Sequence, residues 1–320
     1  MQIIRLKPAL KDYIWGGTIL KERFGKHTQL ERVAESWELS CHPDGESMIA
    51  GGQYDGLPLS EYIKKCGNTV LGTNCKRFTY FPVLIKLIDA NSDLSVQVHP
   101  DDAYAGRVEG GYGKTEMWYV VDCLPGAALY CGFRQAVTKE RFAQLIADGT
   151  LESALNRVPV QKGDVLFIEA GTIHAIGAGM VIAEIQQNSN TTYRVYDYGR
   201  VGADGKPREL HVQKALEVTN TSPFAPIGAV QREFTSFEGY DTRALAACGY
   251  FTVQELRVHT HAALDAQETS FHSLLCIEGE GMIQGAEETL AVKKGDSLFV
   301  PAGFGSYRLT GKMSIIHTTV

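Results

Sequence analysis

The run Asp93-Leu94-Ser95-Val96-Gln97-Val98-His99-Pro100 holds two side chains able to ligate a metal, spaced two residues apart. In a strand successive side chains alternate faces, so Gln97 and His99 point one way while Leu94, Val96 and Val98 point the other, into a core. A polar pair turned inward needs a partner, because burying it unsatisfied costs about 1–3 kcal/mol. A bound cation is one such partner; a strand end that shows Gln and His to solvent fits this segment equally well. Two more segments add to it. Gly113-Lys114-Thr115-Glu116-Met117-Trp118-Tyr119-Val120-Val121 sets a charged pair at the mouth of an apolar strand, and residues 163–174 read as a turn, a strand, a second Gly turn and then His174. Gln97, His99, Glu116 and His174 form a nitrogen and oxygen set without thiolate. Such a set suits a hard to borderline divalent ion, zinc first and manganese or iron next. It also points to a catalytic site, since structural zinc sites lean on cysteine.

These side chains need a β scaffold. The 33 glycines and the short apolar runs between turns predict a mainly β chain. Strands are expected at 83–89, 94–99, 116–122, 164–169, 180–186 and 191–197, then at 251–258, 271–278 and 296–300. Helical spacing is confined to 57–65, 138–157 (with Phe142, Leu145 and Ile146 on one face) and 209–218. Residues 219–226, Thr-Asn-Thr-Ser-Pro-Phe-Ala-Pro, read as a linker. A repeat spans it: Val160-Gln161-Lys162-Gly163-Asp164-Val165-Leu166-Phe167-Ile168-Glu169-Ala170-Gly171 matches residues 292–303, Val-Lys-Lys-Gly-Asp-Ser-Leu-Phe-Val-Pro-Ala-Gly. Each copy is a K-G-D turn, a buried strand and a Gly turn, preceded by an apolar strand and a Gly turn at 118–126 or 274–281. Two copies of one β unit imply two related barrels or sandwiches. We therefore expect an N-terminal catalytic domain at 1–219 with helical additions and a C-terminal domain at 231–320. His174 aligns with Ser306, so the second unit is expected to lack the metal histidine.

Composition narrows the function. Hydrophobic content of 44% and charged content of 21% are those of a soluble globular protein. No run approaches the roughly 20 apolar residues of a membrane span, and Met1-Gln2-Ile3-Ile4-Arg5-Leu6-Lys7-Pro8 shows no secretory pattern. A net charge of −6 without a basic stripe argues against nucleic acid as a partner. The cysteines at 41, 66, 75, 123, 131, 248 and 276 are odd in number, irregular in spacing and free of C-x-x-C pairs. That usage fits reduced thiols and a cytoplasmic protein better than a disulfide framework.

The G-D-x-x-x-x-x-x-G-x-x-H arrangement ending at His174 resembles the second motif of the cupin superfamily, whose jelly-roll barrels hold a metal. Residues 84–90, 94–102, 113–118, 171–174 and 186–194, and above all Ser95-Val96-Gln97-Val98-His99-Pro100-Asp101-Asp102, resemble the type I mannose-6-phosphate isomerases, in particular the short bacterial branch. The resemblance runs along nearly the whole chain. It implies two cupin-like barrels and a zinc-dependent interconversion of mannose 6-phosphate and fructose 6-phosphate through a cis-enediol. It places one zinc ion per chain on Gln97, His99, Glu116 and His174, and catalytic or substrate-contacting cations at Lys86, Lys114 and Arg194. Longer members carry His-Lys-Pro-Glu where this chain has Gly113-Lys114-Thr115-Glu116, so no proton-transfer role for that histidine carries over.

The residues themselves bear on these assignments. Lys86 interrupts the apolar run 84–88, where an unpaired ammonium is costly; it either snorkels outward or faces the metal cavity. Arg194 sits in a β-branched and aromatic run, and its guanidinium suits a phosphate or an enediolate through paired hydrogen bonds. With no P-loop in the chain, basic side chains must supply most of the attraction for phosphate. His259, His261 and His272 are expected to face solvent, and His42 and His211 to be structural. A sugar phosphate is thus the expected partner. The alternative is a metal-binding cupin that holds a sugar phosphate without turnover.

Overall fold

Three Val/Ile/Leu-rich strands, Val83–Ala90, Glu116–Cys123 and Met180–Gln187, form the centre of the N-terminal unit. The structure is a computed structural model of the chain and describes residues 1–202, 205–224 and 233–320. The three strands lie in an antiparallel six-stranded sheet ordered Val165–Ile168, Glu116–Cys123, Met180–Gln187, Val83–Ala90, Glu35–Leu39, Ala9–Lys11. A five-stranded sheet faces it, ordered Tyr193–Tyr196, Val96–Val98, His174–Ile176, Ala128–Phe133, Leu155–Pro159. Trp118, Val120, Ile88 and Ile182 from the first sheet meet Leu129, Cys131 and Ile176 from the second in one buried cluster. The alternate residues point outward. Val83, Ile85, Met117, Tyr119 and Ile185 pack on helix Leu59–Cys66 and on Phe251, Phe271 and Phe299 of the C-terminal half.

The outer face of the five-stranded sheet buries Val96, Val98, Tyr193 and Val195 under Phe142 and Leu145 of helix Lys139–Ala147 and Ala215 of helix Val212–Val218. The helix expected at 138–157 ends at Ala147. Gly149, at φ 66°, turns the chain, and residues Leu155–Pro159 become an edge strand. Leu94 also departs from expectation. The strand begins only at Val96, and Leu94 joins the interior cluster rather than the Val96 and Val98 face.

In the C-terminal half a ten-stranded sheet runs Thr235–Phe237, Tyr240–Ala247, Thr252–Val258, Gly305–Thr319, His272–Gln284, Ser297–Val300, Ile4–Lys7, Met48–Ile49, with His261–Ala266 and Thr289–Lys293 paired at its side. The N-terminal strand Ile4–Lys7 thus extends the C-terminal sheet, on the edge of Ser297–Val300. The expected Gly turn at 281 lies inside the long strand His272–Gln284. The expected start of the second domain at 231, and the last two linker positions at 225 and 226, fall outside the described residues. Mainly β with small helical additions, the chain packs its sheets face to face rather than closing them into continuous barrels. Among the described residues no helix is long and apolar enough to cross a membrane.

The two repeat copies occupy like positions. Ile168 pairs with Glu116 in the first, and Val300 pairs with His272 in the second. The correspondence extends across the sheet: Trp118–Glu184–Lys86 in one unit matches Leu274–His317–Gln254 in the other. Past the second Gly turn the match slips by one residue. Ser306 is exposed, while Tyr307 is buried with its hydroxyl 2.8 Å from His272 Nδ1. A one-residue slip in a strand exchanges its faces, so Tyr307, not Ser306, takes the inward place that His174 has in the first unit. His272 is accordingly buried rather than solvent-facing, against His317 at a ring separation of 4.4 Å. His259 is exposed and paired with Asp241.

This buried pair makes the fold acid-sensitive. Burial lowers His272 to about 4, and burial followed by the neighbouring His272 lowers His317 to about 3. Below the unfolded value of about 6.5 the unfolded chain takes up protons that the folded chain refuses, so stability falls with pH until the folded values are passed. At pH 5 the loss is about 2 kcal/mol per histidine. Urea unfolding at pH 7 and pH 5 should show a loss smaller by about that amount in His317→Leu than in the unaltered chain; equal losses would refute the assignment.

Candidate metal centre

Glu116, Glu184, Lys86 and Trp118 point between the sheets because each occupies the inward register of an otherwise apolar strand. From the facing sheet, His174 lies opposite Gln97 and Gln97 opposite Arg194, so the three form one cross-strand row. His99, one residue past the strand Val96–Val98, faces the same interior. The ligand atoms of His99, Glu116 and His174 lie within 4.8 Å of one another, and all three residues are buried. Gln97 lines the adjoining cleft of roughly 270 Å³ together with Lys86, Lys114, Glu184 and Arg194. The structure therefore brings together all seven side chains singled out from the sequence.

Their polar atoms fit a cation. His99 Nδ1 lies 2.9 Å from the Thr191 carbonyl and His174 Nδ1 lies 2.8 Å from that of Thr172. Each Nδ1–H donates outward, leaving the Nε2 lone pairs turned inward. His174 Nε2 and Glu116 Oε1 are 3.4 Å apart, fully buried and without a hydrogen-bond partner. Two acceptors facing each other in a dry site are unfavourable until a cation lies between them. Burial and then the Lys114 charge lower His99 well below its usual value and His174 to about 4, which keeps both imidazoles neutral as ligation requires. Burial raises Glu116, opposed by Lys114.

The cations are held by carboxylates. Lys114 Nζ lies 2.7 Å from Glu116 Oε2 and 3.1 Å from His99 Nε2. Lys86, expected either to snorkel or to face the cavity, faces it, 3.3 Å from Glu184 and 3.5 Å from Glu35, over the Trp37 ring. Burial disfavours the Lys86 ammonium, but Glu35 and Glu184 raise it above the ordinary lysine range. Burial also opposes ionisation of Glu184, and Lys114 and Lys86 outweigh it. Glu184 was missed in the sequence although it carried the signal that marked Lys86, a lone charge in an apolar strand. Glu35 and Arg208, which also line the cleft, carried no such signal. His211, expected to be structural, stands at the start of helix Val212–Val218, and its Nδ1 accepts from the Arg194 backbone N–H at 3.3 Å.

The loop that carries Lys114 is anchored by Asp102. Its Oδ1 accepts from Gly113 N at 2.8 Å and Gln187 Nε2 at 2.9 Å, and its Oδ2 from Tyr250 of the C-terminal half at 2.6 Å. A Cβ on residue 113 would sit 2.5 Å from the Asp101 carbonyl carbon and the Asp102 nitrogen. Glycine therefore fits this position without a shift of the backbone at residues 101 and 102. Gly113→Ala should cost about 1–3 kcal/mol of stability and displace Lys114, lowering turnover; a variant with unaltered melting temperature and rate would show that the loop absorbs the methyl freely.

Comparison with known proteins agrees with this geometry. Residues 3–116 match the family profile described as phosphomannose isomerase type I, catalytic domain, and residues 241–320 match mannose-6-phosphate isomerase, cupin domain. The chain is 40% identical to the mannose-6-phosphate isomerase ManA of Bacillus subtilis over 306 residues, 95% of each chain. It is 38% identical to the mannose-6-phosphate isomerase of Streptococcus mutans, over 97% of this chain and 96% of that one. The crystal structure of the mannose 6-phosphate isomerase from Bacillus subtilis superposes with a TM-score of 0.93 at 36% identity, covering 100% of both chains. The jelly-roll cupin architecture that the resemblance implied is thus shown. With fold, domain profiles and near full-length identity in agreement, the chain belongs to the type I phosphomannose isomerase family.

Proposed function

We propose that the chain is a metal-dependent aldose–ketose isomerase that interconverts mannose 6-phosphate and fructose 6-phosphate through a cis-enediol. The observation that carries the reading is the facing pair of Glu116 Oε1 and His174 Nε2, buried without hydrogen-bond partners beside His99 and next to a polar cleft. In this reading Gln97, His99, Glu116 and His174 hold one divalent ion, zinc being our choice from the nitrogen and oxygen donor set. One carboxylate among neutral ligands leaves such an ion net positive, and when bound it supplies Lewis acidity toward a sugar carbonyl.

The chain's own residues do the rest. Trp118, with its indole N–H 3.0 Å from Glu184 Oε2, closes the apolar side of the site and holds that carboxylate toward the two lysines. Lys114 Nζ, at the cleft wall, is our candidate for moving the proton on the sugar. Arg194 is the donor for charge that develops on the enediol oxygens. A coupled assay for fructose 6-phosphate formed from mannose 6-phosphate, run with and without a chelator, tests the reading. We expect turnover that chelation removes and zinc restores. Tight binding of the sugar phosphate without product would instead favour a cupin that binds without turnover.

A further inference from the structure

Charge in the cleft is sorted. On the metal side the ammoniums of Lys86 and Lys114 meet the carboxylates of Glu35, Glu116 and Glu184, an excess of negative charge that suits a cation. Beyond Gln97 the sign reverses. Arg194, Arg200 and Arg208 gather there, and among the described residues Asp197 is the one carboxylate bonded to any of them. Arg208 grips Asp197 through Nε at 2.8 Å and through Nη2 to Oδ1 at 2.5 Å, and Arg200 Nη2 donates to the same Oδ1 while its Nη1 donates to the Asp93 carbonyl. Asp197 is thus shared between two guanidiniums and cannot neutralise both. Arg194 donates to Ser95 Oγ at 3.2 Å and to the Glu209 carbonyl at 2.9 Å, and among the described residues it has no carboxylate partner. Burial, then the charge of Arg208 in the same cleft, lowers its pKa. Arg194, Arg208, Ser95, Asn190 and Thr192 all line the cleft.

Three guanidiniums share one bonded carboxylate, and the nearby Glu209 is largely exposed, so positive charge is in excess here, the complement of a phosphate monoester dianion. Each guanidinium has five N–H donors, so both Arg194 and Arg208 keep donors beyond those named above. A planar fork held rigid by a carboxylate is also the geometry that reads phosphate oxygens in pairs. Neighbouring strands lie about 4.8 Å apart, so the row His174, Gln97, Arg194 steps away from the metal side, and Arg208 lies past it on the following segment. We propose that Arg208, set by Asp197 and Arg200, is the anchor for the substrate's phosphate, with Arg194 between it and the metal side; this assignment rests on the isomerase reading.

Arg208→Gln and Arg208→Lys test it in the zinc-loaded protein. With mannose 6-phosphate, Arg208→Gln should raise KM by about 10- to 100-fold, change kcat far less and leave metal content unaltered. Arg208→Lys, which keeps charge but loses the fork, should fall between. Binding of inorganic phosphate, followed by isothermal titration, should weaken in parallel. Unchanged KM and unchanged phosphate affinity in a folded Arg208→Gln protein would overturn the anchor. If Arg208→Gln does not fold, mass spectrometry of the unaltered protein decides: phosphate should protect Arg208 from phenylglyoxal, and no protection overturns the proposal. Should the unaltered protein bind inorganic phosphate through Arg208 but turn over no mannose 6-phosphate, the isomerase reading fails and the anion site stands.

Discussion

His99→Ala and His174→Ala should each lose metal and activity together, with turnover falling by more than the 10–100-fold typical of losing an outer partner of a ligand. Each imidazole presents an Nε2 lone pair to Glu116, with its Nδ1–H already committed to a backbone carbonyl. Among the described residues His99, Glu116 and His174 form the group of His, Cys, Asp and Glu ligand atoms close enough together to hold an ion, so losing one imidazole leaves that group short. Metal content by mass spectrometry of the purified variants, alongside the coupled rate, checks the outcome. Stoichiometric zinc with a near-normal rate in either variant would remove these histidines from the site. Gln97 should be the most forgiving ligand, as a neutral amide is a comparatively weak donor to the ion. His174→Ala should also lower the melting temperature, since it leaves Glu116 buried beside an empty volume.

Arg194→Ala should lower turnover by about 10²–10³-fold and leave metal content unchanged. Arg194 adjoins Gln97 in the cross-strand row and has no carboxylate partner among the described residues, so its charge remains available to an oxygen that becomes negative during reaction. An interaction made chiefly in the transition state appears in kcat, whereas uniform binding of substrate and transition state appears in KM. The contrast with Arg208 is therefore diagnostic, with kcat moving for Arg194 and KM for Arg208. A loss confined to KM in Arg194→Ala would move this residue into the phosphate anchor. Unaltered kcat and KM would exclude it from both roles.

Period-two alternation determined much of this from sequence. A Gln and a His spaced two apart, a Lys in the middle of an apolar run and a Glu at a strand mouth can be placed inward without knowing what faces them, because a strand has only two sides. The K-G-D repeat likewise announced two β units, and their registers do coincide at Glu116 and His272. What pairs with what was decided only by the tertiary structure. Glu184 meets Lys86 across a strand pair nearly 100 residues apart in sequence, and Tyr250 reaches Asp102 from the other half of the chain. The slip that turns Tyr307 inward in place of Ser306 is likewise invisible to a residue-by-residue match, since it changes the face and not the order of the residues. Arg208 lies on an irregular segment with no periodicity to orient it. Its place beside Asp197 and Arg194 comes from how that segment folds back over the strand Tyr193–Tyr196, a long-range outcome that local pattern does not encode.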